Sequence, residues 1–88
     1  MPYIDKFGRP RIDELIDQVV AETPGELNYA ITRLIIGYIE DKKDTNDNTS
    51  YQHINDVVGA LEGAKLEFYR RFVSKYEDRK TIENGDVY

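Results

Sequence analysis

Asp44, Asn46 and Asn48 stand at alternating positions in "DTNDN", the spacing at which a calcium loop presents its first oxygen ligands. Such a loop needs glycine at its sixth position for the sharp turn and a bidentate glutamate at its twelfth. Those positions are Thr49 and Asn55 here, and both replacements damage the site. Side-chain-to-backbone turns account for the Asp and Asn residues without any metal. His53 is the only imidazole in the chain. A lone histidine can act as a general acid or base, but this one falls in the first turn of an expected helix with no partner in view, and reads as a surface residue.

Glu14 and Asp17 form an acidic i, i+3 pair on the polar side of the first expected helix. All-α nucleoside triphosphate pyrophosphohydrolases hold magnesium between Glu-x-x-Glu pairs on facing helices. A magnesium-dependent enzyme of that type is therefore the alternative reading, weakened because no matching pair occurs on the other helices. Arg70, Arg71 and Lys75 alternate with Tyr69, Phe72 and Tyr76. Basic side chains between aromatic ones suit single-stranded nucleic acid, which makes a nucleic-acid accessory factor the third reading. Those aromatics also fall on the apolar stripe of a helix, where packing explains them. No glycine-rich phosphate loop is present. With no cysteine there is neither a thiolate zinc site nor a cysteine nucleophile. The residues thus predict no catalytic group, no metal and no cofactor.

The elements that would position these residues belong to a chain of 88 residues, enough for a single α-helical domain over 1–88. A domain of this size buries only about 60–65% of its unfolded surface, so its core is marginal. Net charge is −5, which disfavours non-specific binding to nucleic acid or anionic lipid. The charge is uneven: residues 65–80 carry six basic side chains against three acids. No apolar run approaches the roughly 18 residues of a membrane span, and "MPYIDKFGRPRIDEL" lacks the pattern of a secretory signal. Together with the absence of cysteine, this predicts a soluble, cytoplasmic protein.

Ile12, Leu15, Ile16, Val19 and Val20 share one helical face, which predicts a helix over about 10–22. Pro10 suits its first turn, and Asp13 and Glu14 its positive end. In "TPGE", Thr23 can cap, Pro24 fits the first helical position, and Glu26 can reach back as the capping-box partner. A second helix over 24–42 follows after a tight corner. The polar stretch "DKKDTNDNTS" is a loop. Thr49 with Gln52 forms another capping-box pattern and opens a third helix over about 50–75, striped by Tyr51, Ile54, Val57, Val58, Leu61, Phe68 and Phe72. The tail reads either as a short helix closed by Asn84–Gly85 or as a hairpin turned by "NG"; the helix is preferred.

The second helix poses the main question. At 100° per residue Leu27, Ala30, Ile31, Leu34 and Tyr38 fall in one arc, the expected core face. Tyr29, Ile35, Ile36 and Ile39 fill the next arc, leaving Arg33 and Glu40 as the charged sector. A helix apolar on two sides is normally central to a bundle, yet two amphipathic neighbours hardly enclose it, and an exposed isoleucine patch is a liability in a monomer. The tail folding back is one cover; a second copy of the chain is the favoured one. Gly59 and Gly63, four apart in "GALEGA", would let another backbone approach closely. The expected oligomer interface is therefore Tyr29, Ile35, Ile36, Ile39, Gly59 and Gly63. Glu62 and Lys65 lie within the stripe and are expected to be partly buried, with Arg33 a candidate partner for Glu62.

"GELNYAITRLIIGYIED" at 25–41, "INDVVGALEGAKLEFYRR" at 54–71 and "YEDRKTIENGDVY" at 76–88 resemble a small family of uncharacterised proteins from bacteria, archaea and tailed phages, classed as a domain of unknown function. The resemblance covers most of the chain and implies a stand-alone protein. It brings no activity, cofactor or site residue. The expected protein is all-α, with three main amphipathic helices completed as a helical bundle by self-association. It would act through contact with itself or with another protein, with no membrane or nucleic-acid partner.

Overall fold

The computed structural model describes residues 4–88. Among them every regular element is helical, and the fold is all-α. The chain divides into two compact units, residues 4–57 and Val58–Tyr88.

The first unit opens with a 3₁₀ turn, Lys6–Gly8, capped by Asp5, whose carboxylate accepts the Phe7 N–H at 2.8 Å. Helix α1 spans Arg9–Ile16 with Pro10 in its first turn. It is shorter than the 10–22 expected from the apolar spacing. After Ile16 the backbone tightens, Gln18 N–H donating to Leu15 and Val19 N–H to Ile16, and the Gln18 side chain turns back onto the Glu14 carbonyl. Two consecutive β-branched residues, Val19 and Val20, are poor at continuing a helix, and Val20 stands 79% exposed outside it. Because α1 starts at Arg9, Asp13 and Glu14 lie beyond its first turn, not at the helix's positive end.

Helix α2 spans Pro24–Lys42, the bounds expected. Thr23 is extended and its Oγ1 accepts the Glu26 N–H at 3.1 Å, satisfying one of the orphan donors of the first turn. Glu26 reaches back, but to the N–H of Glu22 at 3.3 Å, one residue further than a capping box requires. At the other end Lys43 leaves the helix in an extended conformation.

Helix α3 spans Tyr51–Phe68. Its cap is Ser50, not Thr49: Ser50 Oγ accepts the His53 N–H at 3.3 Å, while Gln52 pairs with Asp56 at 2.8 Å. A π turn, Tyr69–Val73, follows directly, and helix α4 spans Ser74–Asn84. The short C-terminal helix preferred for the tail is thus present, running on from α3 through the π turn, and the alternative hairpin is absent. No glycine or proline interrupts residues 64–84, and Ser74 is absorbed by donating its hydroxyl to the Arg70 carbonyl at 2.7 Å. Its N–H bonds the Tyr69 carbonyl, five residues back, which is the π register. Gly85 ends α4 at φ 90°, ψ 147°, a conformation reserved for glycine, with its N–H on the Thr81 carbonyl at 2.8 Å.

Candidate interaction surface

None of the described side chains is buried. On α2 the order of exposure also departs from expectation. Ile35 and Ile39, expected to face a partner, are half-buried together with Ala30. Leu27 and Leu34, expected in the core, are 53% and 64% exposed. Periodicity locates apolar arcs but does not say which one turns inward, and α2 offers two. Tyr29 and Ile36 are both about half exposed. The charged sector is partly engaged, since Arg33 donates to the Tyr29 hydroxyl at 3.4 Å.

The loop after α2 is built on Asp44. One carboxylate oxygen accepts the N–H groups of Asn46 at 2.8 Å and Asn48 at 2.9 Å. Asp47 turns the chain at φ 64° and donates its N–H to the Asp44 carbonyl. Two backbone donors thus share one carboxylate oxygen, as in the side-chain-to-backbone turns expected of this stretch. Lys43 spans this turn to Glu40 at 2.8 Å and Asp47 at 3.5 Å. The hydrogen bond to Glu40 raises the Lys43 ammonium above its ordinary pKa, against some desolvation. Among the described residues no group of three or more His, Cys, Asp or Glu side chains is arranged to hold a metal.

His53 does have partners. Its Nδ1 lies 2.9 Å from Ser50 Oγ, and its ring meets Tyr38 edge-on at 6.3 Å. A hydroxyl beside an imidazole resembles the start of a nucleophile–base pair, but Ser50 is already committed to capping α3, and the pair reads as a helix start. Sequence spacing held the signal: Ser50 and His53 are three apart, as cap and third residue must be.

The second unit is a single helical run, so within it nothing else can lie against the apolar stripe. Val58, Leu61, Phe68, Phe72 and Tyr76 are all well exposed, Phe72 at 69%. Phe68 stacks on Phe72 with centroids 5.7 Å apart. Glu62 and Lys65, expected to be partly buried, are each more than half exposed and pair with one another at 3.8 Å. Gly59 and Gly63 lie elsewhere: Gly63 is two residues past Leu61, about 200° round the helix. A Cβ on either glycine would meet nothing within 4 Å. Glu67 is the covered charge, its side chain 14% exposed, taking Arg71 Nε at 2.7 Å and an Arg70 guanidinium nitrogen at 2.9 Å. The hydrogen bond from Arg71, then that from Arg70, holds its carboxyl at about 2, against an ordinary 4.5. Arg70 and Arg71 are thus engaged by Glu67. Arg79 and Lys80 lie against the Tyr76 ring at 5.6 and 5.7 Å.

These observations define a small all-α protein whose main surface feature is open apolar helix face. No helix among the described residues is long and apolar enough to cross a membrane. The chain belongs to the family described as Domain of unknown function (DUF6899), whose model matches residues 1–87. Comparison with curated proteins and with solved structures gives no match.

Proposed function

We propose that this chain is a self-associating helical subunit that acts through protein–protein contact, first with copies of itself and through them with another protein. One observation carries the reading. Within the second unit, a single helical run, Phe68, Phe72 and Tyr76 stand 56%, 69% and 52% exposed along one face with Val58 and Leu61. A contiguous apolar face of this kind, left open on a helix, marks a surface that a partner covers. On α2 the proposed contact is Tyr29 and Ile36, with Ile35 and Ile39 beside them; Gly59 and Gly63 offer a second close approach. Each fully buried isoleucine stabilises by about 1.5–3 kcal/mol, enough for a few of them to hold a dimer whose separate cores are marginal. The absence of cysteine suits a reducing, cytoplasmic setting.

Sedimentation equilibrium at micromolar concentration tests the reading. The expected result is a dimer or larger assembly, dissociated by Ile36→Asp. Because Ile36 is half exposed within the chain, an aspartate there is tolerated by the separate subunit but costly in an interface. Asp47→Ala, on the exposed loop, should leave the assembly intact. A well-folded wild-type monomer would refute the proposal.

A further inference from the structure

The apolar stripe of the second unit divides by residue type. Its first half is aliphatic, Val58 and Leu61; its second is aromatic, Phe68, Phe72 and Tyr76; Lys65 stands between them. Val58, Leu61, Lys65, Phe68 and Phe72 are spaced 3, 4, 3, 4, the alternation of a coiled-coil seam. The next seam position in an uninterrupted helix is Lys75. The π turn at Tyr69–Val73 takes up one extra residue and so brings Tyr76 there instead. The turn therefore keeps the seam aromatic where an ideal α-helix would make it cationic.

We propose that a second copy of this chain docks along this stripe in antiparallel orientation. The inference rests on the self-association reading above and adds to the α2 contact a separate surface with its own geometry. Centred between Leu66 and Glu67, an antiparallel pairing sets Leu61 on the partner's Phe72 and Val58 on the partner's Tyr76. Each bulky ring meets a smaller aliphatic group, and the match repeats on both sides of the two-fold axis. Lys65 comes over the partner's Phe68, where an ammonium and a ring attract. A parallel pairing instead sets Lys65 against its own copy and ring against ring, and the like charges oppose it. Phe68, Phe72 and Tyr76 are each more than half exposed. At roughly 150–250 Å² per aromatic side chain they offer about 350 Å² per copy. With the aliphatic half included, two copies reach the roughly 1,000 Å² that a specific interface requires.

The chain has no cysteine, so single introduced thiols report the geometry in the full-length protein. Leu61→Cys and Phe72→Cys are made separately and oxidised alone and as a mixture. In the antiparallel pairing Leu61 and its own copy are eleven residues apart along the axis, about 16 Å, beyond the roughly 7 Å that a disulfide spans. The expected result is a cross-linked dimer from the mixture and none from either variant alone. Phe72→Asp should weaken dimerisation at least tenfold while leaving the circular dichroism of the helix in place. Homodimeric cross-links from either single variant would overturn the orientation. An assembled wild type that gives no cross-link in any arm, or that survives Phe72→Asp, would overturn the surface while leaving self-association standing. A wild type that sediments as a monomer would remove both.

Discussion

Dilution is the gentlest perturbation available, because it changes no residue. If two chains fold and associate together, each tenfold dilution lowers the stability of the pair by RT ln 10, about 1.5 kcal/mol near the melting temperature. Unfolding entropy is about 2.1 cal/mol/K per residue near 60 °C. Two chains of 88 residues then carry about 370 cal/mol/K. The melting temperature should therefore fall by about 4 °C for each tenfold dilution, and by about 8 °C between about 200 and 2 µM. The structural basis is the open apolar stripe of the second unit, on which Phe68, Phe72 and Tyr76 are each more than half exposed. Circular dichroism at 222 nm in cells of different path length measures the shift. A melting temperature that stays constant across the range would show that the chain is stable without a partner. The open stripe would then not be a subunit interface.

Three further outcomes follow from local geometry. Thr23→Ala removes the side chain that accepts the Glu26 N–H and should cost about 1 kcal/mol per chain, lowering the melting temperature by about 5 °C, whereas Thr23→Ser should not. Gly85→Ala forces a Cβ into φ 90°, ψ 147°; the strain, about 1–3 kcal/mol, is relieved by fraying, so the helical Cα chemical shifts of Thr81–Asn84 should weaken while the global melt barely moves. Glu67 has a carboxyl depressed to about 2 by Arg71 and Arg70, so its pairing stabilises above the unfolded value near 4.5 and is lost as pH falls through about 2. Glu67→Gln should therefore lower the melting temperature at pH 5.5, and the gap to wild type should close towards pH 2; a gap independent of pH would contradict the assignment.

Where local chemistry decides, the amino-acid order was sufficient. Thr23–Pro24 set the start of α2, and the polar run after Lys43 set its end, because capping and turn formation involve only residues within four positions. The same holds for Gly85, the one glycine at positive φ, which stops α4. The end of α1 was not legible in this way. Apolar spacing carried the pattern through Val19 and Val20, while the backbone closed after Ile16. The cap of α3 moved by one residue, from Thr49 to Ser50, since either hydroxyl satisfies the same rule. The π turn left only a trace, the two successive steps of four from Phe68 through Phe72 to Tyr76.

For the candidate surface the division is sharper. That α2 is apolar on two sides follows from its residues alone. That Ile35 and Ile39 are half-buried while Leu27 and Leu34 stand open does not, because burial depends on neighbours distant in sequence and both arcs are equally apolar. Likewise, the angle of Glu62 and Lys65 within the stripe suggested burial, but the second unit is a single helical run and leaves them exposed and paired. The order of amino acids determined the helices and the amount of apolar surface they carry; only the tertiary arrangement decided which of it remains uncovered, since exposure is a property of the space around a side chain and not of its spacing along the chain.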